Sequence, residues 1–171
     1  VRLSATRRSR GGTPLDGPNT KSMATPAQMH ERIGSDFGTS EWMLLDQAKV
    51  SAFADLTDDR YFIHTDPERA KRETPYGGTI AHGFLTLSLL PKFFESAMTI
   101  REAGMGVNYG LNKVRFTSPV PVGSRLRAHM TLLACEAIEN NGMQMTWSVK
   151  VEREGIEKPV CVAESLARRY P

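Results

Sequence analysis

The amino-acid sequence predicts an α+β fold in which an antiparallel sheet wraps around one long central helix. The longest apolar segment of the chain, residues 80–97, is long enough to form that helix. From about Asn108 onward, strand-like apolar stretches alternate with turn residues, which is typical of antiparallel strands. One predicted strand places on a single face Met145, Trp147, Val149 and Val151. Such a face needs an apolar cover, and only the long helix offers one.

The length and composition are those of a single globular domain. A chain of 171 residues buries a sizeable core without splitting, and 40% hydrophobic with 24% charged residues is an ordinary composition. No apolar run approaches the roughly 20 residues that cross a bilayer, so we expect no membrane partner. Cys135 and Cys161 lie in strand-like patterns without metal or redox spacing. We interpret them as buried thiols in a reducing cytoplasm.

The basic charge is concentrated at one end of the chain. The isoelectric point is about 9.0, but residues 1–22 hold five basic side chains against one acidic side chain. The rest of the chain is therefore close to neutral. It contains no basic stripe with interleaved aromatic residues, so we expect no nucleic-acid partner.

Residues 1–22 are predicted to form a disordered leader. They are rich in Arg, Ser, Thr, Gly and Pro and have no apolar periodicity that could bury a face. Met23 follows directly, so we interpret the leader as added or upstream sequence and residues 23–171 as one domain. A transit peptide stays an alternative, because the segment is rich in arginine and nearly free of acids.

The first elements after the leader are predicted from capping residues. Residues 40–45 form a short extended run, and Asp46 then offers an N-cap for a helix over residues 47–56. The following stretch, residues 57–65, has neither helical nor strand periodicity and is predicted to be a loop. A second N-cap aspartate precedes Pro67, which predicts a short helix to about residue 72.

The long helix and the strands follow a turn at residues 75–78. The helix is apolar nearly all round up to Leu90, which predicts contacts on several sides, and Pro91 predicts a kink or a new start. Four strands are expected to form a meander with a hairpin turn at Asn140-Asn141-Gly142. They cover residues 108–116, 125–138, 144–153 and 160–170.

Asp59 and His64 form the candidate catalytic pair. They stand five positions apart in the predicted loop, directly before the helix whose first turn contains His82 and Gly83. Adding water to the double bond of an enoyl thioester needs a base, a proton donor and stabilisation of a developing oxyanion. A carboxylate and an imidazole can hold one water, and free N–H groups at a buried helix start can receive the oxyanion. Gly83 lets the substrate carbonyl approach closely.

Each candidate also has a purely structural interpretation. Asp59 could serve only as a turn residue, and His82 could be a hydrogen-bonding residue at the helix start. Gly77 and Gly78 fit a backbone turn as well as a ligand contact. A metal is not expected, because the histidines outside the pair lack complementary ligand spacing and no cysteine is near.

The segment FADLTDDRYFIHTDPERAKRETPYGGTIAHGFLTLSLL closely resembles the hydratase signature of the MaoC-like dehydratase family, particularly its NodN-like branch. The resemblance extends over most of residues 37–134, includes VRFTSPVPVGSRLRA, and excludes the leader. It implies a hotdog fold, a homodimer formed through a continuous sheet, and (R)-specific enoyl-CoA hydratase activity. It also implies that Asp59 and His64 activate water and that the Gly83 amide belongs to the oxyanion hole.

The sequence departs from the family where many members have Asn-Pro and this chain has Tyr61-Phe62. The substitution leaves the size and type of the acyl group open. The residues expected to bind the substrate are Tyr61, Phe62, His82, Gly78 and Tyr109.

The function predicted from the sequence is hydration of a 2-enoyl thioester or the reverse dehydration, without a cofactor. Coenzyme A is the expected carrier of the acyl group, and an acyl carrier protein stays possible. Two alternatives remain open. One is a hotdog thioesterase, in which the same acid directs water to the thioester carbonyl. The other is a non-catalytic acyl-binding protein.

Overall fold

The computed structural model describes residues 22–101 and 104–171. Apart from Ser22, the predicted leader lies outside the described residues. Ser22 begins β1 (Ser22–Ala24), which pairs in parallel with β4 (Met98–Ile100). Within the described ranges, no helix combines the length and apolar character that crossing a membrane requires.

The N-terminal elements lead into the first long helix. They are α1 (Pro26–Met29), a 3-10 turn (His30–Arg32), β2 (Asp36–Thr39), β3 (Met43–Leu45) and α2 (Gln47–Thr57). Asp46 caps α2 as predicted, because its side chain accepts a hydrogen bond of 2.9 Å from the Lys49 N–H. Of the strand predicted over residues 40–45, only β3 (Met43–Leu45) forms.

The predicted loop over residues 57–65 is wrong in its second half. Asp58 ends α2 in the left-handed conformation, with φ of 58°. The chain then forms a single helical turn, α3 (Phe62–Thr65). A helix of one turn is too short to show a periodic sequence pattern. One contact that supports it comes from the next element, α4 (Pro67–Glu73), where the Arg69 guanidinium lies 4.0 Å above the Phe62 ring.

The predicted helix over residues 80–97 begins later and is interrupted. Its two parts are α5 (Gly83–Ser88) and α6 (Leu90–Ala97), so the new start expected near Pro91 is confirmed. The late start has a tertiary cause, because the N–H groups of Ile80 and Ala81 donate to the carbonyls of Ile63 and Val120 at 2.9 and 2.8 Å. Packing does not enclose the helix on every side, since Phe84 is 69% exposed.

The sheet contains β5 (Gly106–Phe116), β6 (Ser124–Ile138), β7 (Gly142–Arg153) and β8 (Cys161–Arg169) in addition to β2 and β3. The strand order is β2-β6-β7-β8-β5, and β3 also pairs with β6. The predicted four-strand meander is therefore wrong for β5, which pairs with β8. The segment between β5 and β6 crosses the end of the sheet, where the Thr117 N–H donates to the Val160 carbonyl at 2.9 Å.

The predicted buried face of β7 is confirmed. Met145, Trp147, Val149 and Val151 are all essentially inaccessible. Trp147 lies edge-on to Phe94 of α6 and to Phe37 of β2, with ring centroids 5.5 and 5.0 Å apart. The helix therefore covers the sheet as expected. Both cysteines are free and buried, and burial raises the pKa of the Cys161 thiol to about 11.

The predicted hairpin between β6 and β7 is confirmed. Asn140 and Asn141 have φ values of 59° and 54°, which is the pair of left-handed conformations that a tight two-residue turn requires. In contrast to these paired strands, β5 forms an edge of the sheet, and most of its residues are exposed.

Candidate active site

Asp59, His64 and His82 meet at the start of α5. Asp59 lies between α2 and α3, His64 lies within α3, and His82 is the N-cap residue of α5. One potential ligand or hydrogen-bonding atom from each of the three side chains lies within 4.8 Å of the others. The proximity of Asp59 and His64 expected from their spacing is therefore present, and the site is adjacent to the helix start.

His64 has its hydrogen-bonding roles fixed by the main chain. Its Nδ1 lies 2.7 Å from the Ile80 carbonyl oxygen, which can only accept, so Nδ1 is the donor. In the neutral ring Nε2 then carries a lone pair. Burial is the main cause that lowers the pKa of His64, and neighbouring His82 lowers it further, whereas the Ile80 bond and the Asp59 charge raise it.

His82 connects the two other residues. Its Nε2 donates to the main-chain carbonyl of Asp59 at 2.9 Å and lies 3.9 Å from an Asp59 carboxylate oxygen. Its ring stacks on the His64 ring with centroids 3.7 Å apart, and Phe53 packs 5.1 Å from it. The side chain is 3% exposed, and its Nδ1 has no hydrogen-bond partner in the part of the chain that the structure describes.

Asp59 is the accessible member of the group, with its side chain 58% exposed. The nearby cation, Arg60, is engaged by other carboxylates, at 2.9 Å from Asp55 and 2.6 Å from Asp58. Asp59 therefore presents a solvent-accessible carboxylate beside a buried imidazole. A water molecule held by both would be activated by a charged and a neutral acceptor.

Gly83 is the first residue of α5, where the main-chain N–H has no intrahelical acceptor. The chain passes so close to Phe116 that a Cβ atom on Gly83 would lie 2.6 Å from that ring. A side chain at this position would force the Phe116 ring or α5 to move, so packing favours glycine here independently of any role in the reaction. Gly78 has no such constraint, because a Cβ atom there would meet nothing within 4 Å.

Of the remaining residues predicted to bind the substrate, Tyr61 and Phe62 lie between Asp59 and His64 in the chain, whereas Tyr109 lies on another element. Tyr61 is exposed and packs against Phe62, with ring centroids 4.8 Å apart, and Phe62 in turn lies under Arg69. Tyr109 lies on β5, where the Arg168 guanidinium stacks on its ring at 3.3 Å. It is seven residues from Phe116, which is about 23 Å along a strand. The structure thus places Tyr109 apart from the acid and the histidines of the same chain.

A mainly apolar cavity follows the helix away from the site. Its volume is about 310 Å³, and it is lined by Leu87, Leu90, Pro91 and Phe94 of the helix and by residues of β5 that include Tyr109. Leu87 comes four residues after Gly83, about 6 Å along the helix axis. The cavity is therefore close enough to receive an apolar group attached to a carbonyl bound at the helix start.

The group of Asp59, His64 and His82 has the donor types that could hold a divalent cation. His64 Nδ1 and His82 Nε2 are both engaged by carbonyls, so each ring can offer only its other nitrogen. The sequence-based expectation that the site works without a metal stays a prediction.

Sequence reasoning did not identify Gln47 and Thr79 as parts of the site. The Gln47 side chain donates to the His64 carbonyl at 2.8 Å and accepts from the Thr79 hydroxyl at 2.6 Å. These contacts join residues that are 17 and 32 positions apart. No local pattern in the sequence signals them.

An antiparallel sheet of this strand order, covered by the interrupted helix α5 and α6, defines a hotdog fold. The chain belongs to the MaoC-like domain family, whose sequence profile matches residues 28–154. A solved structure, the monoamine oxidase regulatory protein from Archaeoglobus fulgius, superimposes with a TM-score of 0.67 and 26% identity, covering 81% of this chain and 91% of that one.

Two relatives are similar over most of their length. The 3-hydroxyacyl-thioester dehydratase Z of Mycobacterium tuberculosis is 49% identical over 142 residues, which are 83% of this chain and 93% of the relative. Nodulation protein N of Rhizobium leguminosarum bv. viciae is 49% identical over 138 residues, 80% of this chain and 86% of the relative. The chain is accordingly an enzyme of the hydro-lyase class.

Proposed function

We propose that the protein adds water across the C2–C3 double bond of a 2-enoyl thioester to form the (R)-3-hydroxyacyl thioester, or catalyses the reverse dehydration. The observation that carries the proposal is the meeting of the Asp59 carboxylate and the His64 imidazole beside Gly83 at the start of α5. The similarity to a 3-hydroxyacyl-thioester dehydratase supports the same substrate class.

In the proposed hydration, Asp59 and His64 Nε2 each accept one hydrogen of a water molecule, which leaves an oxygen lone pair free to attack C3. As the C–O bond forms, Asp59 takes a proton from the water and the π electrons move toward the thioester oxygen. The Gly83 N–H stabilises that oxyanion. The proton on Asp59 then passes to His64 Nε2 and from there to C2, so that both side chains return to their starting states. Dehydration follows the same steps in reverse.

The substrate requirements follow from the surroundings of the pair. The cavity beside Leu87 and Phe94 is mainly apolar, which suits the hydrocarbon part of an acyl group. Coenzyme A is the proposed carrier, with an acyl carrier protein as the other source of the same thioester. Proton transfers and oxyanion stabilisation are sufficient for the reaction, so the proposal needs no cofactor.

The proposed assembly is a homodimer that joins the sheets of two copies through β5. Among the residues that the structure describes, this strand pairs with β8 on one side and has no partner strand on the other. It also exposes Val107, Tyr109 and Leu111. An unpaired, apolar strand edge is normally covered, and a second copy is the partner that the family resemblance implies.

The test is an assay with a panel of short, medium, long and branched enoyl-CoA substrates, in which hydration is measured as loss of the conjugated enoyl absorbance. Loss of this absorbance without thiol release is the expected result. The product is then offered to dehydrogenases specific for (R)- or (S)-3-hydroxyacyl-CoA, and only the (R)-specific enzyme should oxidise it. Oxidation by the (S)-specific enzyme alone would contradict the stereochemical part of the proposal.

Two other outcomes correspond to the alternatives. Free thiol released in proportion to enzyme would indicate a thioesterase. Tight binding of acyl-CoA with no turnover of any substrate in the panel, whether CoA-linked or linked to an acyl carrier protein, would indicate an acyl-binding protein. Either result would overturn the proposed hydratase.

A further inference from the structure

The Gln47 side chain bridges the two segments that form the active site. Its Nε2 donates to the His64 carbonyl at 2.8 Å and lies 3.3 Å from the Ser51 hydroxyl, and its Oε1 accepts from the Thr79 hydroxyl at 2.6 Å. Thr79 is buried. Gln47 therefore contacts α3, which carries His64, with its amide nitrogen, and it contacts the segment that precedes α5 with its amide oxygen.

The His64 carbonyl needs such a donor. A helix leaves its last four carbonyls without intrahelical partners, and α3 contains only four residues. A helix this short has almost no stability of its own, so its geometry depends on tertiary contacts. The Gln47 amide supplies one of these contacts directly at the residue whose imidazole forms the site.

The second end of the bridge reaches the segment that fixes the His64 ring. Thr79 directly precedes Ile80, whose N–H donates to the Ile63 carbonyl at 2.9 Å and whose carbonyl accepts from His64 Nδ1 at 2.7 Å. Gln47 thus ties the main chain of His64 to the segment that binds its side chain. The bridge works in one amide orientation only, because the His64 carbonyl can only accept and must meet the amide nitrogen, which leaves the amide oxygen to accept from the Thr79 hydroxyl.

We propose that Gln47 is a positioning residue that holds the His64 imidazole in its reactive orientation, a role that rests on the proposed hydratase function. Gln47 does not reach the reacting atoms itself, so it influences the reaction by fixing the position of His64. Small misplacements of a catalytic group reduce the rate strongly while leaving binding of the substrate body intact. Loss of the bridge should therefore lower kcat by on the order of tenfold to a hundredfold, with little change in KM.

The test compares Gln47→Met, which keeps the length of the side chain, with Gln47→Glu, which keeps its shape but cannot donate to the His64 carbonyl. Gln144→Met is the matched control, because Gln144 also accepts a side-chain hydrogen bond, from Arg168 at 2.9 Å, but lies in β7. Both Gln47 variants should lose kcat and the control should keep it. Thr79→Val should cause a smaller loss that is not additive with Gln47→Met.

A second measurement is independent of turnover. The His64 Nδ1–H proton, assigned in the NMR spectrum by its disappearance in His64→Gln, should shift or broaden in Gln47→Met and Gln47→Glu and stay unchanged in Gln144→Met. An active wild type with unaltered kcat and an unaltered proton signal in both Gln47 variants would overturn the role of Gln47. An inactive wild type would instead contradict the proposed function, and the NMR comparison would still decide the role of Gln47. If neither Gln47 variant folds, Thr79→Val decides it, and unchanged kcat and signal there would overturn the proposal.

Discussion

The imidazole rings of His64 and His82 lie face to face, with their centroids 3.7 Å apart and their planes inclined by 27°. The two rings use opposite nitrogens for their main-chain bonds, since His64 donates through Nδ1 to Ile80 and His82 through Nε2 to Asp59. Through this stack, His82 links the segment that carries Asp59 to α3, which carries His64. The stack also places two ionisable rings in contact, which disfavours a second positive charge.

His82→Phe separates the stacking of His82 from its hydrogen bond. Phenylalanine keeps an aromatic ring on His64 but leaves the Asp59 carbonyl without the Nε2–H donor. We expect kcat to fall by about tenfold, because the loop that carries Asp59 is held less firmly. The free energy of unfolding should fall by about 1 kcal/mol, which is the usual contribution of one hydrogen bond. Steady-state kinetics and thermal unfolding check both, with exposed His30→Phe as the control, and an unchanged kcat would contradict the prediction.

Asp59→Asn removes the proposed base while keeping the volume of the side chain. The rate should fall by about 10²–10⁴-fold, since an amide cannot take a proton from water. Asp58→Asn is the matched control: Asp58 is an exposed neighbour in the left-handed conformation, which asparagine also tolerates. Turnover of the two variants should therefore differ strongly at equal unfolding temperature. Comparable rates in both would end the assignment of Asp59 as the base.

The pH dependence of kcat/KM should report the depressed pKa of His64. Burial first, and then His82, lower this pKa from the ordinary value of 6.5. His64 acts in the proposed mechanism as a neutral acceptor, so activity should persist at pH 6.5 and decline only when acid protonates the ring at lower pH. In His82→Phe the like-charge effect is lost, and the decline should move to higher pH. A decline that begins above pH 6.5 in the wild type would contradict this reading of His64.

Local signals in the sequence were sufficient for most elements of the fold. Asp46 and Pro67 start helices by capping and by fixed backbone geometry, and Asn140-Asn141 form a turn through their own conformational preferences. The strand partner of β5 and the start of α5 were not predictable in this way. Both depend on bonds between distant segments, such as the Ala81 N–H to the Val120 carbonyl.

The candidate site likewise contains residues that local sequence signals indicate and residues that only distant contacts reveal. The spacing of Asp59 and His64 and the glycine of the helix start were visible in the sequence. Gln47 was not, because a glutamine at the first position of a helix is ordinary and its partners lie far along the chain. The contact that disfavours a side chain at Gly83 also comes from a distant residue, Phe116.

Gly83→Ala should damage stability and activity together. The added methyl group would lie 2.6 Å from the Phe116 ring, so the ring or α5 must move, at a cost of about 1–3 kcal/mol. Any shift of α5 also moves the proposed oxyanion donor. Gly78→Ala is the matched control, since its methyl group meets nothing within 4 Å. Thermal unfolding and kcat measure the effects, and Gly83→Ala combined with Phe116→Leu should recover part of the stability.

Leu111→Glu should dissociate the proposed dimer. Leu111 lies on the unpaired edge strand β5 and is 43% exposed, so a charge there would be buried if two copies joined their sheets. Charged residues on an edge strand oppose pairing with another chain. Leu133→Glu is the control, because Leu133 has a similar exposure of 42% but lies on β6, which has strands on both sides. Sedimentation velocity should give a dimer for the wild type and the control and a monomer for Leu111→Glu; a monomeric wild type, or a dimer in all three, would show that β5 does not form the interface.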